Sequence, residues 1–132
     1  MLLSPLIILG AFALFLIISG LFEFRYHQLT LANIPIRIHV NGTRGKSSVT
    51  RLIAAGLRAG GKRTFAKTTG TAPRVIDSEG IDRIIHRLRR PSIGEQVRLL
   101  KYFSSEKLEV VVMECMAVQP QYQWISEHQM VK

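Results

Sequence analysis

The sequence predicts an α/β protein in which an N-terminal transmembrane helix precedes part of a three-layer α/β sandwich. An uncharged apolar segment from Leu2 to Phe22 predicts the membrane helix. Residues 34–59 then predict a strand, a glycine-rich loop and a helix in succession, and a valine-rich run at residues 108–113 predicts a buried strand. We divide the chain into an anchor at residues 1–22, a linker at 23–33 and an α/β domain at 34–132, which we expect to be incomplete.

The composition limits the class of protein. The chain has 132 residues, enough for one domain, and 47% of them are apolar, which argues against disorder. Cys115 is the single cysteine, so a disulfide-stapled fold is excluded and a reducing, cytosolic setting fits best. The net charge of +9 is unevenly placed, because Glu23 is the only charged residue among the first 24. The two parts of the chain therefore face different solvents.

The apolar N-terminal segment is long enough to span a membrane. About 21 helical residues at ~1.5 Å each extend about 31 Å, which is roughly the thickness of the hydrocarbon layer. A cleaved signal peptide would begin with basic residues, which the segment lacks. A buried core helix is the other alternative, but so short a chain lacks the protein to cover a helix that is apolar all round. Basic residues follow the segment and do not precede it, so we expect a single-pass anchor in the cell membrane with the C-terminal part in the cytoplasm.

Alternating patterns define the elements that follow the linker. Apolar side chains at every second position from Ile34 to Val40 predict a strand that ends at Asn41 and Gly42. A helical stripe predicts a helix over Ser47 to Ala59, which Gly60 and Gly61 end. Arg63 to Lys67 is expected to form a short second strand, before a threonine- and glycine-rich loop at residues 68–73.

Two further helices and a third strand complete the pattern. Isoleucine and leucine spacing over residues 81–88 indicates one helical face. Ser92 and Glu95 fit a capping box at the start of the next helix, in which Glu95 reaches back to the Ser92 amide. The valine-rich run from Leu108 to Met113 is typical of a strand buried on both faces of a parallel sheet. The order of strand, helix, strand, helix and strand favours helices on both faces of the sheet.

The loop between the first strand and its helix has the residues of a phosphate loop. Glycines let backbone amides turn toward a polyphosphate, the helix N-terminus adds positive potential, and a lysine neutralises phosphate oxygens. The usual spacing places a glycine at position 40, where this chain has Val40, so only Gly45, Lys46 and Ser47 match literally. The alternative is a glycine turn with a surface lysine. The candidate nucleotide-binding residues are Gly42, Thr43, Arg44, Gly45, Lys46, Ser47 and Ser48.

A magnesium site is predicted beside this loop. Ser47 occupies the position whose hydroxyl binds Mg²⁺ in phosphate loops, and Glu114 follows the third strand directly. The alternative for Glu114 is an exposed loop glutamate. Arg37 and His39 depart from the pattern, because the strand before a phosphate loop is expected to be central and buried. We therefore expect one face of this strand to contact the linker or a partner.

Three ordered motifs resemble one known family. The segments NGTRGKSSVTR (41–51), FAKTTGTAPR (65–74) and VVMECMAVQPQYQ (111–123) resemble the ligase subunit of poly-γ-glutamate synthase. This family is similar to the Mur ligases and folylpolyglutamate synthase, whose phosphate loop also reads GTxGK followed by two hydroxyl residues. The anchor and residues 89–96 fit it too, so the resemblance covers essentially the whole chain.

The resemblance implies an ADP-forming amide ligase with ATP and Mg²⁺ as cofactors. The terminal carboxylate of a poly-γ-glutamate chain would become an acyl phosphate, which the amine of glutamate attacks. Lys46 would stabilise the transferring charge, Ser47 and Glu114 would hold the metal, and other membrane subunits would be partners. Secondary candidates for the substrate or metal shell are Thr68, Thr69 and Thr71, for which an ordinary turn is the alternative. Family members are longer, so we expect these 132 residues to be a fragment of a P-loop, Mur ligase-like domain that is inactive alone.

Two other functions remain open on the residues alone. One is a membrane-tethered P-loop ATPase or kinase, and the other is a non-catalytic module that binds nucleotide or assembles partners. Arginines occur at positions 83, 87, 89 and 90. They either form a solvated face or attract a polyanion or anionic lipid. No aromatic platform accompanies them, which argues against nucleic acid. The histidines lack zinc-ligand spacing, and Cys115 is expected to be a small buried residue.

Overall fold

The computed structural model of the protein describes residues 3–70, 72–85, 93–116 and 119–130, in which helices lie on both faces of a mixed sheet. The elements are α1 (Leu3–Ala32), β1 (Ile36–Val40), α2 (Lys46–Ala59), β2 (Thr64–Thr68), β3 (Arg74–Ile76), β4 (Asp82–Ile84), α3 (Ile93–Ser105), β5 (Val110–Glu114) and α4 (Pro120–Met130). The predicted α/β class with an apolar N-terminal helix is confirmed.

The sheet is built around β5. The strand order is β1-β5-β2-β3-β4, and β5 pairs in parallel with both β1 and β2. All five residues of β5 are buried, as the valine-rich run predicts for a strand with parallel neighbours. The register pairs Val40 with Glu114 and Lys67 with Met113, so the three parallel strands end at the same edge.

Two apolar layers cover the faces of the sheet. On one face α2 packs through Ala54 against Ala66 and Val112. On the other face Phe65 meets Phe103 of α3 edge to face, with ring centroids 5.0 Å apart. The end of α1 and the end of α4 join this second layer. Because successive strand residues point to opposite faces, the side chains of β2 and β5 alternate between the two layers and contribute to both.

Helix α1 continues well beyond the apolar segment. Residues 23–32, which we assigned to a linker, form its last turns and end in the core, where Leu31 is 2% exposed. Arg37 donates hydrogen bonds to the carbonyl oxygens of Leu31 and Ile34, which satisfies the end of the helix. Within Ser4–Ala32 an 18-residue stretch has a mean hydropathy of 2.5 and no burial, so α1 is long and apolar enough to cross a membrane. The division into anchor, linker and domain stays a prediction.

The helix expected over residues 81–88 is wrong where the structure describes it. Asp82–Ile84 is strand β4, which pairs antiparallel with β3, and residues 86–92 lie outside the described residues. The side chain of Asp77 accepts hydrogen bonds from the backbone N–H groups of Glu79 and Ile81, and Gly80 has φ 85. This Asx turn favours a hairpin over the helical spacing.

Strand β1 lies at the edge of the described sheet and is not central, which corrects the expectation for a phosphate-loop strand. The expected contact of its polar face with the linker is confirmed by Arg37, which binds the end of α1. His39 lies on the same strand, with Nε2 3.4 Å from the hydroxyl of Ser126 on α4. Burial lowers the pKa of His39 below its ordinary value, and the nearby Glu127 carboxylate partly opposes this.

The lowered pKa of His39 predicts that the fold loses stability in mild acid. The unfolded imidazole takes up a proton near its ordinary pKa of 6.5, whereas the folded one resists protonation, so the free energy of unfolding falls as the pH drops through that range. His39→Asn should remove this part of the pH dependence. Unfolding midpoints of the wild type and the variant between about pH 8 and about pH 5 check it. A difference between the two proteins that stays constant with pH would contradict the assignment to His39.

Candidate functional site

The candidate site lies where the three parallel strands end. Val40, Thr68 and Glu114 close β1, β2 and β5 at the same edge of the sheet, and loops leave each of them there. The ladder continues past the strand ends, since the backbone N–H of Cys115 donates to the carbonyl oxygen of Val40 over 2.8 Å. Ligands bind at this edge in open α/β sheets, at the carboxyl ends of the strands.

The loop from Asn41 to Gly45 turns sharply into α2. Gly42 has φ 153, and Gly45, the N-cap residue, has φ 75 in the left-handed region that disfavours other residues. Asn41 braces the loop: its Oδ1 accepts from the Gly42 N–H over 2.8 Å, and its Nδ2 donates to Gln123 Oε1 over 3.1 Å. No side chain caps the start of α2 and no acidic residue lies in its first turn. The helix itself therefore supplies no acceptor for the N–H groups of its first turn and no negative charge to its positive end.

Glu114 joins the three loops through its carboxylate. The Ser47 hydroxyl donates to Glu114 Oε2 over 2.7 Å, and the Thr69 backbone N–H donates to the same oxygen over 2.8 Å. Gly70 passes so close that a Cβ there would lie 3.4 Å from Ser47 Oγ. Glu114 is 4% exposed, so the alternative of an exposed loop glutamate is wrong. A buried carboxylate needs such donors to offset its desolvation.

A second group of polar contacts ties α3 to the same edge. Gln96 donates through Nε2 to the backbone oxygen of Glu114 over 3.1 Å. Lys67, with no exposed surface, places Nζ 3.3 Å from Oε1 of Glu95, which is 17% exposed. The capping-box partner expected for Glu95, Ser92, lies outside the described residues. Sequence reasoning missed this pair, although a lysine next to Phe65 and Ala66 in a predicted strand was an available signal.

The structure brings some of the predicted residues together and leaves others apart. Ser47 and Glu114 are in direct contact, and Lys46 begins the same helix half-buried. The side chain of Thr68 is 2% exposed within β2, whereas Thr69 contributes its backbone N–H. Further candidates, Gly42, Thr43, Arg44, Gly45 and Ser48, lie at exposed positions around the loop, and Thr71 lies outside the described residues. The roles of all these residues stay predictions.

Of the four arginines singled out in the sequence, the structure describes Arg83, which lies in β4, and it also describes the cysteine. Arg83 is 71% exposed, with Nη2 3.5 Å from Asp77 Oδ2, while positions 87, 89 and 90 lie outside the described residues. Cys115 is buried, as expected. Within the four described ranges, no group of three His, Cys, Asp or Glu side chains is arranged to hold a metal ion. A cation at the edge of the sheet would therefore need oxygen ligands from outside these side chains.

Comparison with known proteins places the chain beside two curated relatives. "Capsule biosynthesis protein CapB" of Bacillus anthracis is 44% identical over 135 residues, which cover 99% of the chain and 29% of the relative. The predicted resemblance to a subunit of poly-γ-glutamate synthase is confirmed. "PGA synthase CapB" of Bacillus subtilis (strain 168) is 38% identical over 119 residues, which cover 89% of the chain and 30% of that relative.

The chain thus spans about 30% of the length of these CapB relatives. No family model matches it. No solved structure matches it significantly either, so the relation of its fold to the Mur ligases stays a prediction.

The contact between Ser47 and Glu114 predicts an unequal effect of two neighbouring substitutions. Ser47→Ala should lower the free energy of unfolding by about 1.5–3 kcal/mol, because a hydrogen bond to a buried charged group is lost. Ser48→Ala, one residue further along α2 at an exposed position, should change it by about 0.5 kcal/mol or less. Denaturant unfolding of the full-length protein in detergent measures both. Equal effects of the two substitutions would refute the contact.

Proposed function

We propose that the chain is part of an ATP-dependent amide ligase subunit of poly-γ-glutamate synthesis. The observation that carries the proposal is the contact of the Ser47 hydroxyl with the Glu114 carboxylate at the junction of a glycine loop and a helix. The names of the CapB relatives, a capsule biosynthesis protein and a PGA synthase, support the polymer. ATP and Mg²⁺ are the proposed cofactors, and glutamate and poly-γ-glutamate are the proposed substrates.

The loop before α2 fits the phosphates of ATP. The left-handed Gly45 and the open Gly42 allow the backbone to face a ligand without a Cβ in the way. The uncapped first turn of α2 offers N–H groups that have no acceptor inside the helix. Lys46 adds a full positive charge at the same turn. Anionic phosphate oxygens are the ligand chemistry that matches all three features.

The pair of Ser47 and Glu114 fits a magnesium ion. The Ser47 hydroxyl donates a hydrogen bond to Glu114, which leaves the lone pairs of the serine oxygen available to a cation. Mg²⁺ accepts one or two protein oxygens and completes its octahedron with phosphate oxygens and water, so it does not require a group of three His, Cys, Asp or Glu side chains, and the described residues contain no such group. Bound Mg²⁺ would neutralise negative charge on the phosphates. The Thr69 N–H would keep the carboxylate of Glu114 oriented.

The proposed reaction joins an amine to a carboxylate in two steps. An oxygen of the terminal carboxylate attacks the γ-phosphorus of ATP, so that ADP leaves and an acyl phosphate forms. The amine of glutamate then attacks the acyl carbon, loses a proton and releases phosphate. Lys46 would stabilise charge that builds up on the transferring phosphoryl group. The threonines at the end of β2 and after it are the proposed secondary contacts to the substrate or the metal. They are Thr68, Thr69 and Thr71.

Membrane attachment is the second part of the proposal. Helix α1 would cross the cell membrane once, with the α/β part in the cytoplasm where ATP is available, because basic residues follow the apolar segment. Other membrane subunits of a synthesis and export complex are the proposed partners. Since the chain spans about 30% of the CapB relatives, every assay of activity is designed for the full-length protein.

Lys46→Ala should abolish ligation without unfolding the protein. We expect glutamate-dependent release of ADP to fall by about 100-fold or more, because the substitution removes the group that would stabilise negative charge in the transition state. Lys62→Ala is the matched control, since Lys62 is 50% exposed in a surface ion pair and should leave the rate nearly unchanged. Wild-type turnover in Lys46→Ala would overturn the assignment. ADP release that is insensitive to glutamate and its polymers would instead favour an ATPase or kinase.

Glu114→Gln should raise the Mg²⁺ requirement more than the requirement for ATP. The amide keeps the size of the side chain and can still accept the Thr69 N–H, but it loses the charge that attracts the cation. We expect the midpoint of the Mg²⁺ titration to rise by about tenfold or more, while KM for ATP at saturating Mg²⁺ changes little. Glu109→Gln, at an exposed carboxylate just before the same strand, serves as the control. An unchanged Mg²⁺ titration in Glu114→Gln would remove Glu114 from the metal site.

A further inference from the structure

A cavity of about 470 Å³ lies between α1, α3 and α4, away from the strand ends. We propose that it binds the phosphate of an anionic phospholipid headgroup. The inference rests on the proposed insertion of α1 in the membrane. The residues that carry it are Glu23, Phe24 and His27 of α1, Arg98 and Lys101 of α3, and Gln129 of α4.

The depth of the cavity matches the headgroup layer. The apolar stretch of α1 ends at Phe22, and Glu23 to His27 follow on the same helix. At ~1.5 Å per residue these positions lie about 1.5–8 Å beyond the hydrocarbon layer. The polar headgroup region adds roughly 5–8 Å on each side of a bilayer. A headgroup phosphate therefore occupies the same level as the cavity.

The attachment of α1 to the core holds the cavity at that level. Lys101 of α3 lies over the Tyr26 ring, 4.7 Å from its centroid. Past the C-terminal ends of both helices, the backbone N–H of Ile36 donates to the backbone oxygen of Glu109 over 3.1 Å. Helices α1 and α3 therefore run in the same direction, and α3 begins at the end nearer the membrane. Because α1 stays helical until Leu31 is buried in the core, the α/β part is not free to turn away.

The charges lining the cavity suit a single phosphodiester. Arg98 and Lys101 oppose one carboxylate, Glu23, so these three side chains carry one excess positive formal charge. His27 donates through Nε2 to the backbone oxygen of Gln129 over 2.8 Å, and its Nδ1 has no hydrogen-bond partner among the described residues. A phosphodiester brings one negative charge, whereas a polyglutamate chain would place several carboxylates beside Glu23. Phe24 supplies an apolar wall for the glycerol and the upper acyl chains.

The test measures phospholipid retained by the full-length protein. The protein is reconstituted in phosphatidylcholine nanodiscs with about 10 mol% phosphatidylglycerol, transferred to mild detergent, and analysed by native mass spectrometry for bound phosphatidylglycerol. We expect the wild type to retain it in preference to phosphatidylcholine. Arg98→Gln combined with Lys101→Gln should reduce retention by about tenfold or more. Glu23→Gln should increase it, which separates a binding effect from a loss of folding.

A charge-matched control and an insertion assay complete the experiment. Arg63→Gln combined with Lys107→Gln removes the same charge from exposed positions at the other end of the sheet and should retain phosphatidylglycerol like the wild type. Equal retention by both double variants, or displacement of the lipid by inorganic phosphate, would overturn the proposal. Alkaline carbonate extraction is done first. Release of the protein by carbonate would overturn the membrane insertion on which the inference rests, whereas an inserted protein without lipid preference would overturn the cavity proposal alone.

Discussion

The buried carboxylate of Glu114 is the constraint on which the rest of the site depends. It lies at the end of β5, the middle one of the three parallel strands, where burial removes water and protein donors must offset the lost hydration. The two donors come from different segments, Ser47 from the first turn of α2 and Thr69 from the loop after β2. One oxygen of one side chain therefore fixes the spacing of the loops that follow all three parallel strands. These contacts hold the loops in place through the chain's own groups.

A second buried charged side chain, Lys67, lies on the opposite face of the sheet from Glu114. Lys67 and Glu114 belong to neighbouring strands, and the alternation of side chains sends Glu114 toward α2 and Lys67 toward α3. Glu95 meets the lysine there, while Gln96, the next residue, holds the backbone of Glu114. The first turn of α3 thus fastens β2 and β5 to each other. Breaking a buried ion pair is strongly destabilising, so this turn is fixed relative to the sheet.

Local patterns in the sequence predicted the parts of the fold that local chemistry decides. The glycines before Lys46, the stripe of α2 and the valines of β5 all agree with the structure. The end of α1 was not predictable in this way, because its polar and aromatic composition is compatible with a linker and only the burial of Leu31 in the core makes it helical. The β3–β4 hairpin was not predicted, because the spacing of isoleucines over residues 81–88 indicates a helical face and does not reveal the Asx turn at Asp77.

The site shows the same division between local and distant signals. Ser47 and Glu114 were paired correctly, since the carboxyl ends of parallel strands must meet at one edge. Lys67 and Glu95 were not paired, because their contact depends on how α3 crosses the sheet, which no spacing in the sequence records. The burial of Glu114 likewise follows from strands on both sides of β5 and not from its own neighbours in the chain.

Helix α3 connects the candidate site to the cavity beside α1. Its first turn holds the strands that carry the candidate site, and its next turns carry the cations of the cavity beside α1. Since α1 and α3 run in the same direction, the edge of the sheet with Glu114 lies at the end from which α1 extends into its apolar segment. In the proposed ligase, with α1 inserted in the membrane, this arrangement would release the product close to the membrane surface. Because α3 contacts both the candidate site and α1, the fold itself would then set the distance of that site from the bilayer.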